Sequence, residues 1–100
     1  MKVRYRERAL LDLEEISNYI SERSPIGAIN VLAAIHAAVR ELALNPLGCR
    51  RTSDPEVRVK IVRRYLYKIF YTIGNDGIEI LHVRHGARRP WIKEGSEINL

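Results

Sequence analysis

The sequence predicts an α+β fold of two layers, β-α-α-β-β-β, in which an N-terminal helical hairpin covers one face of an antiparallel sheet. Three observations carry this. The hydrophobic period changes from two residues to between three and four at Glu7. The pair Ser24-Pro25 divides the helical stretch that follows into two, because Ser is a good N-cap and Pro is tolerated at the first helical position. After Gly48, β-branched and aromatic residues take over, interrupted by Gly74-Asn75-Asp76-Gly77.

Taken in order, Lys2 to Arg6 alternates polar and apolar side chains, so Val3 and Tyr5 share the buried side of a first strand. From Glu7 to Arg23, Ala9, Leu13, Ile16 and Ile20 recur at helical spacing, while Asp12, Glu14, Glu15, Ser17 and Asn18 are expected on the polar side. The second helix carries a stripe of Ala28, Val31, Leu32, Ile35, Val39 and Leu42. It must stop near Asn45, because Pro46 disfavours helical geometry in the residue before it. A connection this short makes the helices an antiparallel hairpin. Val57, Val59 and Ile61 then alternate with Arg58 and Lys60 in a half-buried strand. Arg63-Arg64 lies in or beside a turn, and Tyr65 to Ile73 reads as a central strand. The Gly74 to Gly77 segment, rich in residues that accept positive φ, closes a hairpin onto a last strand over Ile78 to Arg84.

One hundred residues hold a single domain with one modest core, residues 87–100 forming a C-terminal tail without a clear period. The charge is uneven. Residues 1–49 carry six basic and six acidic side chains, whereas residues 50–93 carry eleven basic and four acidic. A neutral first half and a basic second half point to an anionic partner met by the second half. The single Cys49 excludes a disulfide framework, and His36, His82 and His85 are too scattered for a metal site, so neither metal nor cofactor is expected. Met1 to Arg8 is charged and no apolar run follows it, which makes no case for a secretory signal. The longest uncharged stretch, Ser24 to Val39, falls short of a membrane span, so a soluble, cytoplasmic protein is expected.

Candidate chemistry gathers in the basic half. Arg58, Lys60 and Lys68 are expected to point away from the helices, and Arg84, His85, Arg88 and Arg89 cluster where the last strand ends. Arg50, Arg51, Arg63 and Arg64 border the same region from loops. Such a surface is either a solvated polar face or a binding face for phosphate or carboxylate, which Arg grips with paired hydrogen bonds. His82 and Arg84 fall on one side of the strand and His85 on the other. Tyr65, Tyr67 and Tyr71 share a parity and pack on one side, and Trp91 follows the basic cluster. No Gly-rich phosphate loop or Ser-His-Asp order emerges.

Several segments together resemble the RelE/ParE superfamily of toxins from bacterial type II toxin–antitoxin modules, which includes plasmid stabilisation proteins. They are Ala9-x-x-Asp12-Leu13-x-x-Ile16-x-x-Tyr19-Ile20, Leu42-x-x-Asn45-Pro46-x-Gly48, Val57-Arg58, Tyr67-Lys68-Ile69-Phe70-Tyr71, and Ile80 to Arg88. The long helical hairpin and the Val83-Arg84-His85-Gly86-x-Arg88 ending look more like the ParE branch. That resemblance implies a toxin that inhibits DNA gyrase without being an enzyme, and a cognate antitoxin as partner. The RelE branch implies instead a ribosome-dependent mRNA endonuclease, for which Lys68, Arg84, His85 and Arg88 would be the catalytic candidates, with the ribosome and mRNA as partners. A third possibility is a non-toxic member that only binds its antitoxin. Partner or nucleic-acid contacts would fall on Arg58, Lys60, Arg84, Arg88, Arg89 and Trp91, with no membrane involved.

Overall fold

The computed structural model describes residues 2–85. They form β1 (Lys2–Tyr5), α1 (Glu7–Ser21), α2 (Pro25–Leu44), a single 3-10 turn (Pro46–Gly48), β2 (Arg50–Arg51), β3 (Arg58–Val62), β4 (Tyr67–Ile73) and β5 (Gly77–His85). The expected order of elements is therefore present, with the two-residue β2 added.

Local chemistry explains the boundaries. Ser24 has extended dihedrals, and its hydroxyl accepts the Gly27 N–H at 2.9 Å, which satisfies one of the orphan donors of α2 ahead of Pro25. At the other end the Asn45 N–H donates to the carbonyls of Glu41 and Leu42, and Pro46 opens the 3-10 turn. By length and composition α2 is apolar enough to cross a bilayer. In this fold its stripe of Ala28, Val31, Ile35, Ala38, Val39 and Leu42 is core instead. Tyr65 and Leu66, expected in the central strand, belong to the turn before it, where Leu66 adopts φ 59°.

The strands are ordered β1-β5-β4-β3-β2. The meander is antiparallel, as expected. β1 joins β5 in parallel, from Lys2 opposite Gly77 to Tyr5 opposite Ile80, so the five-stranded sheet is mixed. A Cβ on Gly77 would collide with the Lys2 carbonyl, and no left-handed φ is needed at either Gly74 or Gly77. Glycine is required at Gly77 for the close approach of β1, not for the turn conformation inferred from sequence.

The main core lies between the helices and one face of the sheet. Ile35, Leu42, Ile69, Tyr71, Ile78 and Ile80 are its largest fully buried side chains, with Tyr65 and Tyr67 packed at its border. Burying each such aliphatic side chain is worth about 1.5–3 kcal/mol. The Tyr71 hydroxyl donates to the Pro46 carbonyl at 2.5 Å and so ties the end of α2 to the central strand. Burial raises its pKa, and the neighbouring Cys49 side chain adds to the shift.

β3 faces the opposite way from the sequence expectation. Val59 pairs with Phe70 and Arg58 with Tyr71, so Arg58 and Lys60 lie on the helix-covered side. Val57 and Val59 join Phe70 and Leu81 in a second, smaller apolar cluster. Alternation fixes which residues share a side; the pairing of β3 with β4 and the nearby Glu41 of α2 decide which side the cations take. In β5 the pairing moves from His82–Phe70 to Ile80–Tyr71, which leaves Leu81 as an extra residue in a bulge.

Candidate functional site

β5 passes beyond the end of its neighbour. β1 stops at Tyr5, opposite Ile80, and the Arg6 N–H still reaches the Ile80 carbonyl. Past that point the outer edge of β5 is served by a side chain. Asp12 of α1, only 7% exposed, accepts the Val83 N–H at 3.0 Å on Oδ2, and Nδ1 of His82 lies 3.3 Å from the same oxygen. Oδ1 accepts from Arg8 at 2.9 and 3.1 Å. Burial by itself would raise the Asp12 carboxyl. The hydrogen bonds from His82, Val83 and Arg8, with the Arg8 charge, outweigh it and hold the group below the usual carboxylate range. Asp12 thus performs for Val83 the service of a missing strand.

The expectation that Asp12 lies on the polar side of α1 is therefore corrected. The signal was present in the spacing, because Asp12 sits three residues after Ala9 and four before Ile16, inside the buried stripe. A charged residue in that stripe marks a buried ionic contact.

A groove of about 480 Å³ opens between β1 and the C-terminal half of α2, lined by Val3, Tyr5, Val39, Ala43 and Leu44, with His36 and Arg40 among its walls. Arg40 and His36, one turn apart, lie 3.2 Å from each other. Leu44 is 87% exposed, and Leu47 in the turn beyond it is also exposed. The floor is apolar and the polar groups are basic, which suits an apolar segment carrying acidic residues.

The basic residues singled out from sequence do not form one surface. The Lys60 ammonium lies 2.9 Å from the Glu41 carboxylate, and Arg58 donates to the carbonyls of Cys49 at 2.8 Å and Leu47 at 3.3 Å. Both hold the sheet to the end of α2 and do not point away from the helices. Lys68 and Arg84 stand directly opposite each other on the other face, where the Arg84 guanidinium lies 6.0 Å from the Phe70 ring centre. His85 pairs with Tyr67 on the helix-covered side, the rings meeting edge to face at 5.4 Å. Within the nuclease set, then, Lys68 and Arg84 come together and His85 is turned away from them. Arg88, Arg89 and Trp91, with the rest of the tail, lie outside the described residues. Among the described residues no three His, Cys, Asp or Glu side chains are grouped to hold a metal ion.

Comparison with known proteins places this architecture. Residues 3–90 match the family model described as the ParE toxin of type II toxin–antitoxin system, parDE. A protein of Sinorhizobium fredii (strain NBRC 101917 / NGR234), "Putative toxin Y4kP", is 37% identical over 90 residues, which are 90% of this chain and 92% of the relative. The solved chromosomal ParDE TA system from P. aeruginosa contains a chain that superposes with a TM-score of 0.74 at 23% identity. The match covers 85% of this chain and 95% of that one, and it shows the shared fold. With nearly its whole length matched by the family model and by a relative of the same size, this chain belongs to the ParE toxin family of type II toxin–antitoxin systems.

Proposed function

We propose that this chain arrests growth by inhibiting DNA gyrase in the cytoplasm, and that a cognate antitoxin neutralises it by laying an apolar, acidic segment in the groove between β1 and α2. The observation that carries the first part is the division of the nuclease candidates between the two faces of the sheet. His85 does not join Lys68 and Arg84, because it faces the helices with Tyr67. A general acid or base must come within hydrogen-bond reach of the proton it moves. A protein that acts by binding needs no such grouping. The apolar floor of the groove, its basic walls and the exposed Leu44 support the second part.

Gyrase supercoiling with purified chain tests the reading. Loss of supercoiling in proportion to added chain, abolished by pre-mixing with the cognate antitoxin, is the expected result. Full supercoiling activity beside growth arrest with cleaved mRNA would replace it with the nuclease reading. The paired substitution Lys68→Ala and Arg84→Ala should leave growth arrest in place if no RNA is cut.

A further inference from the structure

The helix α2 is apolar on every side along most of its length, yet the fold buries only one of those sides. Its core stripe is Ala28, Val31, Ile35, Ala38, Val39 and Leu42. On the outward side Ile26, Ile29, Asn30 and Ala33 are exposed and Ala37 is half-buried, at the three- and four-residue steps that make one continuous seam. Ile26 is 71% and Ile29 67% exposed, at positions where a surface helix carries charged or polar residues. A helix apolar all round is one that is covered all round.

Charge selects the cover. The chain has a net charge of +5, and Ser24 to Val39 is its longest run without Asp, Glu, Lys or Arg. Two copies repel each other through their net charge, and along this seam they bring no like charges together. The same lack of charge gives a phosphate backbone or an acidic peptide nothing to grip here. An acidic segment finds its basic groups, His36 and Arg40, in the groove at the C-terminal half of α2. The seam is also complementary to itself. In an antiparallel pairing about a two-fold axis at Asn30, Ile26 of one copy comes over Ala33 of the other, a large side chain against a small one, and symmetry repeats the contact. The two Asn30 side chains meet at the axis, where an amide, carrying both donors and an acceptor, is satisfied by its own copy.

We propose that α2 pairs with the α2 of a second copy of this chain through Ile26, Ile29, Asn30, Ala33 and Ala37, forming a two-fold dimer. From Ile26 to Ala37 the seam runs about 17 Å. That is short against the surface a permanent dimer buries, so the pair forms and dissociates with concentration. The dimer depends neither on gyrase as the target nor on an antitoxin in the groove.

Sedimentation velocity of the purified chain over a wide micromolar range tests this. The expected result is an average mass that rises with concentration from one chain toward two and no further. Ala33→Glu, which sets like charges beside the axis, should hold the chain at one copy throughout, and Ile29→Gln should need about tenfold more chain for half-association. Leu47→Gln removes an equally exposed apolar side chain away from the seam and should associate like the parent. A second measurement locates the axis. The thiols introduced by Asn30→Cys/Cys49→Ser should oxidise to a covalent dimer, and those of Leu47→Cys/Cys49→Ser should not. Circular dichroism melts establish that every variant is folded. A single-copy mass at all concentrations overturns the proposal, and binding of that monomer to neutral phospholipid vesicles would make the seam a lipid contact. Growth beyond two copies would show a head-to-tail contact, equal weakening by Leu47→Gln and Ile29→Gln would show unspecific adhesion, and cross-linking no faster with Asn30→Cys than with Leu47→Cys would put the axis elsewhere; each of these overturns it too.

Discussion

On the helix-covered face of the sheet, Lys60 meets the Glu41 carboxylate and Arg58 meets two carbonyls; on the opposite face, Lys68 stands across from Arg84, and past the same end of the sheet Arg63 and Arg64 are exposed. The residue types are the same and come from neighbouring positions of one meander. The difference lies in what the chain brings to each. α2 supplies the Glu41 carboxylate, and the segment just after it supplies the Leu47 and Cys49 carbonyls, so these cations become structural. Arg63 and Arg64, beyond the reach of α2, pair with no carboxylate among the described residues and stay at the surface. A basic composition thus says little about function until the engaged cations are separated from the others.

Substitutions can break this contrast, or sharpen it. The largest effect is expected on the covered face. Ile80→Ala, at a fully buried position, should cost about 2–5 kcal/mol through lost burial and a cavity. A urea midpoint unchanged from the parent would mean that the second apolar cluster, not this one, dominates stability.

Next comes the edge of β5. Asp12→Ala leaves the Val83 N–H and His82 without their acceptor and should cost about 1–3 kcal/mol, with Asp12→Asn costing less. The sign of its pH dependence follows from a carboxyl held below its unfolded value. Its contribution is present above the unfolded pKa of about 4 and is lost as pH falls through the lower folded value. Thermal melts of the parent should therefore lose stability on acidification more steeply than those of Asp12→Ala. Parallel curves for the two would remove the buried carboxylate from the account.

Smaller changes of opposite sign are expected at the basic end. Leu66→Gly should raise stability by about 0.5–1 kcal/mol, since glycine takes the left-handed conformation without strain. Lys68→Thr should raise it by about 0.2–0.5 kcal/mol by placing a β-branched residue within the strand. Gains at these two positions, beside losses at Ile80 and Asp12, would show that the basic end gives up stability for a surface role. Losses at both would show instead that the turn is packed for the fold.

Much of the architecture was legible from residues. The shift of period at Glu7, the Ser24-Pro25 cap and the Gly74 to Gly77 turn each report a local preference, and local preferences survive into the fold because helix caps and turns are satisfied within a few residues. The family was legible as well, from the order and spacing of segments that singly say little. Among the described residues Asp12 is the one buried charge, marked by its spacing and concealed by its polarity.

What only the tertiary structure decided is direction. Sequence alternation grouped Val57, Val59 and Ile61 against Arg58 and Lys60 without saying which group meets the helices, because a period of two is unchanged when a strand is turned over. The bulge at Leu81 shifts the pairing of β5 within a stretch that reads as regular, and the distance between Lys68 and His85 across the sheet follows from pairing with β4. Gly77 looked like a turn residue and proved to be a point of contact with β1, a strand over seventy positions earlier in the chain. Properties set by neighbours in sequence were determined by the sequence alone; properties set by neighbours in space, including which cations a partner can reach, waited for the fold.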